Sequence, residues 1–567
     1  MARIRSVNIR NFRSIARLDW VPTPGLNCLI GPGDSGKSTV LDGVDLCLGA
    51  RRNAQFSDAD FNALNAANPI SIRVTLGDLP DTLRGMEAFG RFLRGFDSGT
   101  GIVEDEPGTA LETVITLSLT VAADLEPVWS LFSDRTAEEP SRNLPWAERV
   151  RLSPTRLGGS GDANLGWRRG SVLNRLSDEA PDATAALVKA SRDAREAFGD
   201  QAEEQLAETL ALVMRVAASL GVPLEGGARA FLDARSVSFS GGTVSLHDGR
   251  GVPLVGLGTG SSRLLVAGLQ REAAPRAGIV LVDEVEHGLE PHRVIRLLGS
   301  LGAKEKEPPL QVIATTHSPV AVRELAAAQL NLVRKGVDGI HRVIRVGDSV
   351  DIQGTLRVFP EAFLAAKVIV CEGASEVGFL RGMDLYLSGK DVVSPMAALG
   401  VALVDAAGID KAYARVNAFV ALGYKAAVFR DDDAQPAPEL ERNFLAGSGK
   451  LVKWRPGRAI EDELFGSLPD QAVAALVERA VEIHGQTRVE EHIRSASSGT
   501  MSLQQPAALL APAGRVVLAG ASKTRKAGWF KSVSWMESVA ADIVGPHLAK
   551  AEQGFQDIVA DLFAWMA

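Results

Sequence analysis

The chain has 567 residues, 46% of them hydrophobic and 23% charged, with a formal net charge of −8. That length suggests three or four domains, and the composition is that of an ordinary globular protein. Net acidity excludes a chain coated with positive charge for non-specific nucleic-acid binding, though not a local basic surface. Cys28, Cys47 and Cys371 are the three cysteines and show no CxxC spacing. Neither a zinc motif nor a disulfide framework is expected, and a cytoplasmic location fits. The N-terminal residues include basic side chains without an apolar run behind them, and no stretch approaches the roughly 18 apolar residues that span a bilayer. No secretory leader and no membrane partner are expected.

Ile4 to Ile9 alternates apolar and polar residues, as a half-buried strand does. A second strand, Leu26 to Ile30, runs directly into Gly31-Pro-Gly-Asp-Ser-Gly-Lys-Ser-Thr39, a G-x-x-x-x-G-K-S phosphate loop. Backbone N–H groups over Gly31, Gly33, Asp34, Ser35 and Gly36 are expected to wrap the phosphates of ATP. Lys37 reaches the β- and γ-phosphates, Ser38 holds Mg²⁺, and Thr39 opens a helix whose positive end faces the phosphates. Strand-like segments follow at Ile70–Leu76 and Leu111–Val121. Gln55 reads either as a nucleotide-sensing glutamine or as a plain surface residue.

Residues 170–221 change period. Ala183, Leu187, Ala190, Ala194 and Ala197, then Leu206, Leu210, Val213, Ala217 and Leu220, recur at helical spacing around Gly199-Asp200. This reads as an inserted helical hairpin that either packs on the domain core or serves as a dimerisation arm. Ser236–Leu246 reads as a β-hairpin about Gly241-Gly242. Gly256-Leu-Gly-Thr-Gly-Ser261 is a glycine-rich turn into a helix, with Gly258 and Ser261 placed to meet a further phosphate. Gly278 to Glu284 is an apolar strand ending in two acids: Asp283 would hold Mg²⁺ through water, and Glu284 would polarise the attacking water. Gln311 to His317 is another buried strand, ending in His317.

A second chemistry follows. Lys367-Val-Ile-Val-Cys-Glu372-Gly373 is a β-branched strand ending in an acid and a turn, with Glu376 in the first turn of the next helix. About sixty residues on, Lys425–Asp433 repeats the plan and ends in Asp431-Asp-Asp433. Alternate residues on a strand point the same way, so Asp431 and Asp433 are expected to face one site. Converging carboxylates suit Mg²⁺ or Mn²⁺, which are hard cations. Lys450 to Trp454 reads as a further strand, followed by Glu461, either a metal ligand or an acid favoured at a helix start. Arg515–Leu518 reads as a strand before a basic run holding Lys523, Lys526 and Lys531 with Trp529 and Phe530, which suits a phosphate-tracking surface.

The order phosphate loop, Gly-Ser turn, Asp283-Glu284, His317 resembles the ABC-type ATPase head of SMC-like and RecF-like proteins. That resemblance implies a dimer with ATP at its interface, and Gly258-Thr-Gly-Ser261 departs from the LSGGQ pattern of that family. Glu372-Gly373 followed by Asp431-x-Asp433 resembles the Toprim domain. The two together resemble the OLD family of nucleases, which includes the nuclease subunit of the Gabija anti-phage system. The implied fold class is α/β: an ABC-type P-loop ATPase head with an inserted helical hairpin, then a Toprim parallel-sheet nuclease domain. The expected division is 1–169 and 226–346 for the head, 170–225 for the helical insertion, 347–362 for a linker, and 363–567 for the Toprim domain with C-terminal helical additions.

The implied activity is a metal-dependent DNA endonuclease controlled by ATP, in anti-phage defence or DNA processing. Glu372, Glu376, Asp431, Asp433 and Glu461 would hold two ions, with a further ion beside ATP. The family implies a lysine that offsets charge at the scissile phosphate: Lys526 first, then Lys523 or Lys531. DNA, a second copy of the chain or a higher homo-oligomer, and a helicase-like protein are the partners the resemblance admits. The rival reading is an SMC/RecF-like DNA-repair ATPase or DNA sensor without nuclease action.

Overall fold

The structure, a computed structural model, describes residues 2–136, 142–158, 171–176, 189–190, 192–193, 206–219, 247, 249–250, 253–274, 278–347, 349–524 and 527–567. Most of the expected helical insertion, all of the 236–246 hairpin, and Lys526 lie outside the described residues; Val172–Leu176 and Ala207–Ser219 within the insertion are helical.

Two sheets organise the described residues. The larger begins with the antiparallel pair β1 (Arg3–Phe12) and β2 (Ile15–Trp20), followed by the fully buried β3 (Leu26–Ile30). Its antiparallel half continues through β4 (Ile70–Gly77), β5 (Leu93–Phe96), β6 (Val103–Glu104), β7 (Glu112–Val121) and β8 (Pro127–Phe132). Its other half sets β9 (Thr155–Leu157), β10 (Ile279–Val282), β11 (Gln311–Thr315), β3 and β12 (Leu330–Lys335) in parallel. β13 (His341–Arg345) closes the seam between β12 and β2. The parallel strands are near-continuous apolar runs because both faces are covered, whereas β1 and β4 alternate. The helix Lys37–Leu48 packs its buried residues on the inner side of this sheet. We call this unit the head.

The smaller sheet is all parallel: β14 (Lys367–Cys371), β15 (Val401–Asp405), β16 (Lys425–Arg430) and β17 (Lys450–Lys453), in the order β15-β14-β16-β17. A helix follows each strand: Ala374–Ser388, Ile409–Ala421, Pro438–Ala446 and Ile460–Ser467. Period-two alternation assigns the faces. Val368 and Val370 join a core that runs without a break into the head, through Leu356 and Phe363 to Leu332 and Val312. Ile369 and Cys371 face the C-terminal helices with Phe379, Trp454 and Phe555, where the Trp454 and Phe555 rings stack at 5.4 Å between centroids.

Two sequence expectations are corrected. Arg515–Leu518 is not a strand but part of the helix Pro512–Ser522. Pro512 starts that helix, and Gly514 lets it press against the preceding short helix, where a Cβ would stand 2.1 Å from the Ala508 carbonyl oxygen. The Lys425 strand stops at Arg430, so Asp431 to Asp433 form a turn rather than an alternating strand end.

Candidate functional sites

In the head, β3 delivers the chain into the phosphate loop. Gly31 (φ 139°), Asp34 (φ 57°) and Gly36 (φ 89°) take left-handed or otherwise strained angles that turn the backbone around an anion-sized space. Lys37 is buried and its ammonium caps the loop's own carbonyls, at 3.1 Å from Gly31 O and 2.8 Å from Pro32 O. Burial lowers its pKa. Ser38 Oγ donates to Asp283 Oδ1 at 3.1 Å, and Thr315 Oγ1 donates to the same oxygen at 2.7 Å. The structure thus joins the two residues expected to share a magnesium ion, although they are 245 positions apart in sequence.

Glu284 is exposed on a strained turn (φ 46°), its N–H bonded to Thr315 Oγ1 at 2.8 Å. His317 is exposed, and its backbone N–H donates to Glu286 Oε1 at 2.7 Å. Ser261 Oγ accepts from Arg293 at 3.2 Å. Gly260 lies so close to Gly288 that a Cβ would meet its carbonyl oxygen at 2.5 Å. Among the described residues, no hydrogen bond joins Gly258, Ser261 or His317 to the phosphate loop. Sequence reasoning missed two arginines. Arg156, on the edge strand β9, reaches Asp42 at 2.7 Å and Asp283 at 3.4 Å. Arg263, 2% exposed, donates to the carbonyls of Asp283, Glu284 and His287 at 2.9, 3.0 and 2.7 Å. Its place in the first turns of the helix after the Gly-Ser turn was the available signal.

In the smaller sheet the order β15-β14-β16-β17 places a crevice between β14 and β16, whose crossovers leave in opposite directions; ligands of open parallel sheets settle at such points. Glu372 and Asp431 stand at those two strand ends. The Asp431 N–H donates to Glu372 Oε2 at 3.2 Å. Glu376, 3% exposed, accepts from the Gly373 N–H at 2.8 Å and caps its own helix. Asp431 Oδ1 accepts from the Ile460 N–H at 2.9 Å, which draws in the start of the helix bearing Glu461. Glu461 is 2% exposed, and its Oε1 is buried without a hydrogen-bond partner.

Burial dominates the electrostatics. It raises the pKa of Glu372, Glu376 and Glu461, and with the charges of Glu461 and Glu372 it pushes Asp431 up to about 8. Asp433 is exposed at the rim, and its charge acts on Glu372 and Asp431. The unforeseen acid is Asp432: it is 6% exposed and ion-paired with Arg430 at 3.2 Å and Lys453 at 3.1 Å, so it anchors the turn. Of the lysine candidates, Lys523 is engaged by Asp462, whereas Lys531 Nζ stands 4.0 Å from Glu461 Oε1 and its charge is felt at Glu372. Among the described residues no three acid, histidine or cysteine side chains are already closed into a metal cage. The chemistry of the group nonetheless fits a hard cation: oxygen donors only, pKa values raised by burial and, at Glu376 and Asp431, by neighbouring carboxylates, and one buried carboxylate oxygen without a hydrogen-bond partner.

Residues 6–81 match a family model described as an AAA domain, and residues 115–323 match one described as "AAA domain, putative AbiEii toxin, Type IV TA system". The first span holds the phosphate loop and the second holds Asp283, Glu284 and His317. Both AAA-domain matches fall within the head. Among solved structures, the chain is similar to an Smc head bound to the C-winged helix domain of ScpA (16% identity, 60% of this chain and 96% of that one, TM-score 0.33). It is also similar to the SMC head domain from Thermotoga maritima (14%, 61% and 99%, TM-score 0.29) and to the recombination mediator protein RecF (11%, 60% and 98%, TM-score 0.29). No curated protein matches the chain. No helix among the described residues is long and apolar enough to cross a membrane.

Proposed function

We propose that the chain is a metal-dependent DNA endonuclease of the OLD type, in which the AAA-type head controls a Toprim-like carboxylate site on the smaller sheet. The observation that carries this reading is the meeting of Glu372, Glu376, Asp431 and Glu461 around one crevice, with a buried Glu461 oxygen lacking a hydrogen-bond partner. Glu372 and Asp431, with Glu376 and Glu461 behind them, would hold Mg²⁺ or Mn²⁺, and Asp433 would close the rim. Divalent ions bound there supply a Lewis acid and an activated water for phosphodiester hydrolysis. Among the described residues Lys531 is the lysine best placed to offset charge on the scissile phosphate.

Control by nucleotide has a physical route. β12 pairs directly with β3, which ends in the phosphate loop, and a Cβ on Gly31 would press on the Val333 carbonyl oxygen at 2.6 Å. The next residue, Arg334, donates to Gly423 O at 3.0 Å and lies over the Tyr424 ring at 3.9 Å. Those residues lead into β16, whose other end is Asp431. A shift at the phosphate loop is therefore two short contacts from the strand that carries the carboxylate. Pairing of two heads, with the exposed Gly258 turn of one copy against the nucleotide of the other, completes the proposal.

The test is cleavage of supercoiled plasmid with Mg²⁺ or Mn²⁺, with and without ATP. Glu372→Ala abolishes nicking and leaves nucleotide binding intact, and Lys531→Ala slows cutting by about 10²-fold or more. Cutting by Glu372→Ala at the wild-type rate sinks the assignment. One observation favours a second reading, an ATPase or DNA sensor without nuclease action: the described carboxylates are not closed into a cage. Metal-dependent cleavage separates the two.

A further inference from the structure

The head carries a second polar site, away from the nucleotide loop. β1 and β4 turn Val7, Ile9, Ile72 and Val74 toward the helix Lys37–Leu48. Their alternate residues therefore face the other side of the sheet: Asn8 and Arg10 on β1, Ser71, Arg73 and Thr75 on β4. Asn8 and Arg73 are direct cross-strand partners. With Arg94 and Phe132 at one end and Asp19 at the other, these residues line an open cleft of about 680 Å³. Such a volume suits a small ligand.

Charge bookkeeping within the cleft singles out one residue. Arg10 is satisfied by Asp19 at 2.6 Å and by the Leu18 carbonyl at 2.9 Å. Arg94 is ion-paired with Asp134 at 3.1 Å and Asp105 at 3.3 Å, although its Nε, like that of Arg73, makes no hydrogen bond. Arg73 has neither a hydrogen bond nor an ion pair among the described residues. Its guanidinium lies over the Phe132 ring at 3.5 Å, which occupies one face and none of its N–H donors, and its Nε is buried without an acceptor. A half-buried guanidinium with unused donors is costly unless an anion completes it. Burial, reinforced by the like charges of Arg94 and Arg10 against the opposing charge of Asp134, lowers its pKa.

We propose that this cleft binds a small phosphorylated ligand, with one phosphate group on Arg73 and a hydroxyl-bearing body against Asn8, Ser71 and Thr75. The lining sets three arginines against two aspartates, and Asp105 also pairs Arg94. Among these arginines Arg73 is the one left without a carboxylate, a foothold for a single phosphate group. A nucleic-acid tract requires several unpaired cations, about one for each phosphate neutralised, and among the described residues of this cleft only Arg73 lacks an ion pair.

The test uses the full chain carrying Lys37→Ala, so that the nucleotide loop is silent. Binding of deoxythymidine monophosphate and of a short oligothymidylate is measured by equilibrium dialysis at low salt. The mononucleotide binds, Arg73→Gln weakens it at least tenfold, and Asp134→Asn, which releases Arg94 from a competing carboxylate, strengthens it. Opposite effects of these two substitutions are not expected from loss of folding. Binding that ignores both substitutions overturns the proposal. So does an Arg73-dependent oligonucleotide affinity far above that of the mononucleotide, which would mark a nucleic-acid tract instead.

Discussion

Asp431→Asn in the metal-free protein isolates the cost of packing carboxylates around the crevice. Folded Asp431 keeps its proton until about pH 8, through burial and then the charges of Glu461 and Glu372. An unfolded aspartate ionises near pH 4. Because the folded pKa is raised, the penalty on folding is absent below about pH 4, grows as pH rises, and is complete above about pH 8. At about 1.4 kcal/mol per pH step it reaches on the order of 5 kcal/mol for an isolated group. Neighbouring carboxyls share protons, so about 2 kcal/mol is a safer expectation. Asparagine keeps the oxygen that accepts the Ile460 N–H at 2.9 Å and removes only the charge. At the entropy of unfolding of a cooperative unit of about 150–250 residues this corresponds to roughly 4–8 °C in Tm at pH 8, and to little change at pH 5. Melts followed by circular dichroism in chelator, at both pH values, read the difference directly. Added Mn²⁺ should raise the wild-type Tm more than that of the variant at pH 8. An equal effect of the substitution at both pH values, or a loss of stability at pH 8, would refute the reasoning.

Other outcomes follow from packing and hydrogen bonding. Gly382→Ala places a Cβ at 2.2 Å from the Glu537 carbonyl oxygen and 2.6 Å from Ala540 Cβ, where the helix Ala374–Ser388 meets the helix Val533–Val539 and the turn beyond it. Backbone cannot yield cheaply there, so a net loss of about 1–3 kcal/mol in denaturant unfolding is expected despite the better helix propensity of alanine. Arg263→Met orphans three carbonyls around Asp283, and a loss of about 3 kcal/mol or more, with ATP hydrolysis falling to background, is expected. Normal turnover in that variant would show that Arg263 does not hold the Asp283 turn in place.

Much was legible in sequence because it is local. A short apolar run that ends in a glycine or an acid reports a buried strand and a turn, so β3 with its phosphate loop, β10 with Asp283, and β14 with Glu372 are each legible within a few residues. Where two signals competed, local reading failed. Val516, Val517 and Leu518 suggest a strand, but Pro512 starts a helix that closes on the core. Asp431-x-Asp433 suggests alternation, but the buried Arg430 recruits Asp432 and ends the strand in a turn.

The order of the motifs, a phosphate loop with distant acids and then strand-end carboxylates, is written in local residue patterns. Which side chains meet is set by the fold. Ser38 reaches Asp283, Asp431 draws in the helix bearing Glu461, Lys523 is held by Asp462 while Lys531 stands 4.0 Å from Glu461, and among the described residues the Arg73 side chain has no ion pair on the outer face of the head. The physical reason is that ion pairing and desolvation depend on separations of a few ångströms between residues far apart in the chain. The pattern along one strand specifies its buried face, not the partners that another element brings to its end.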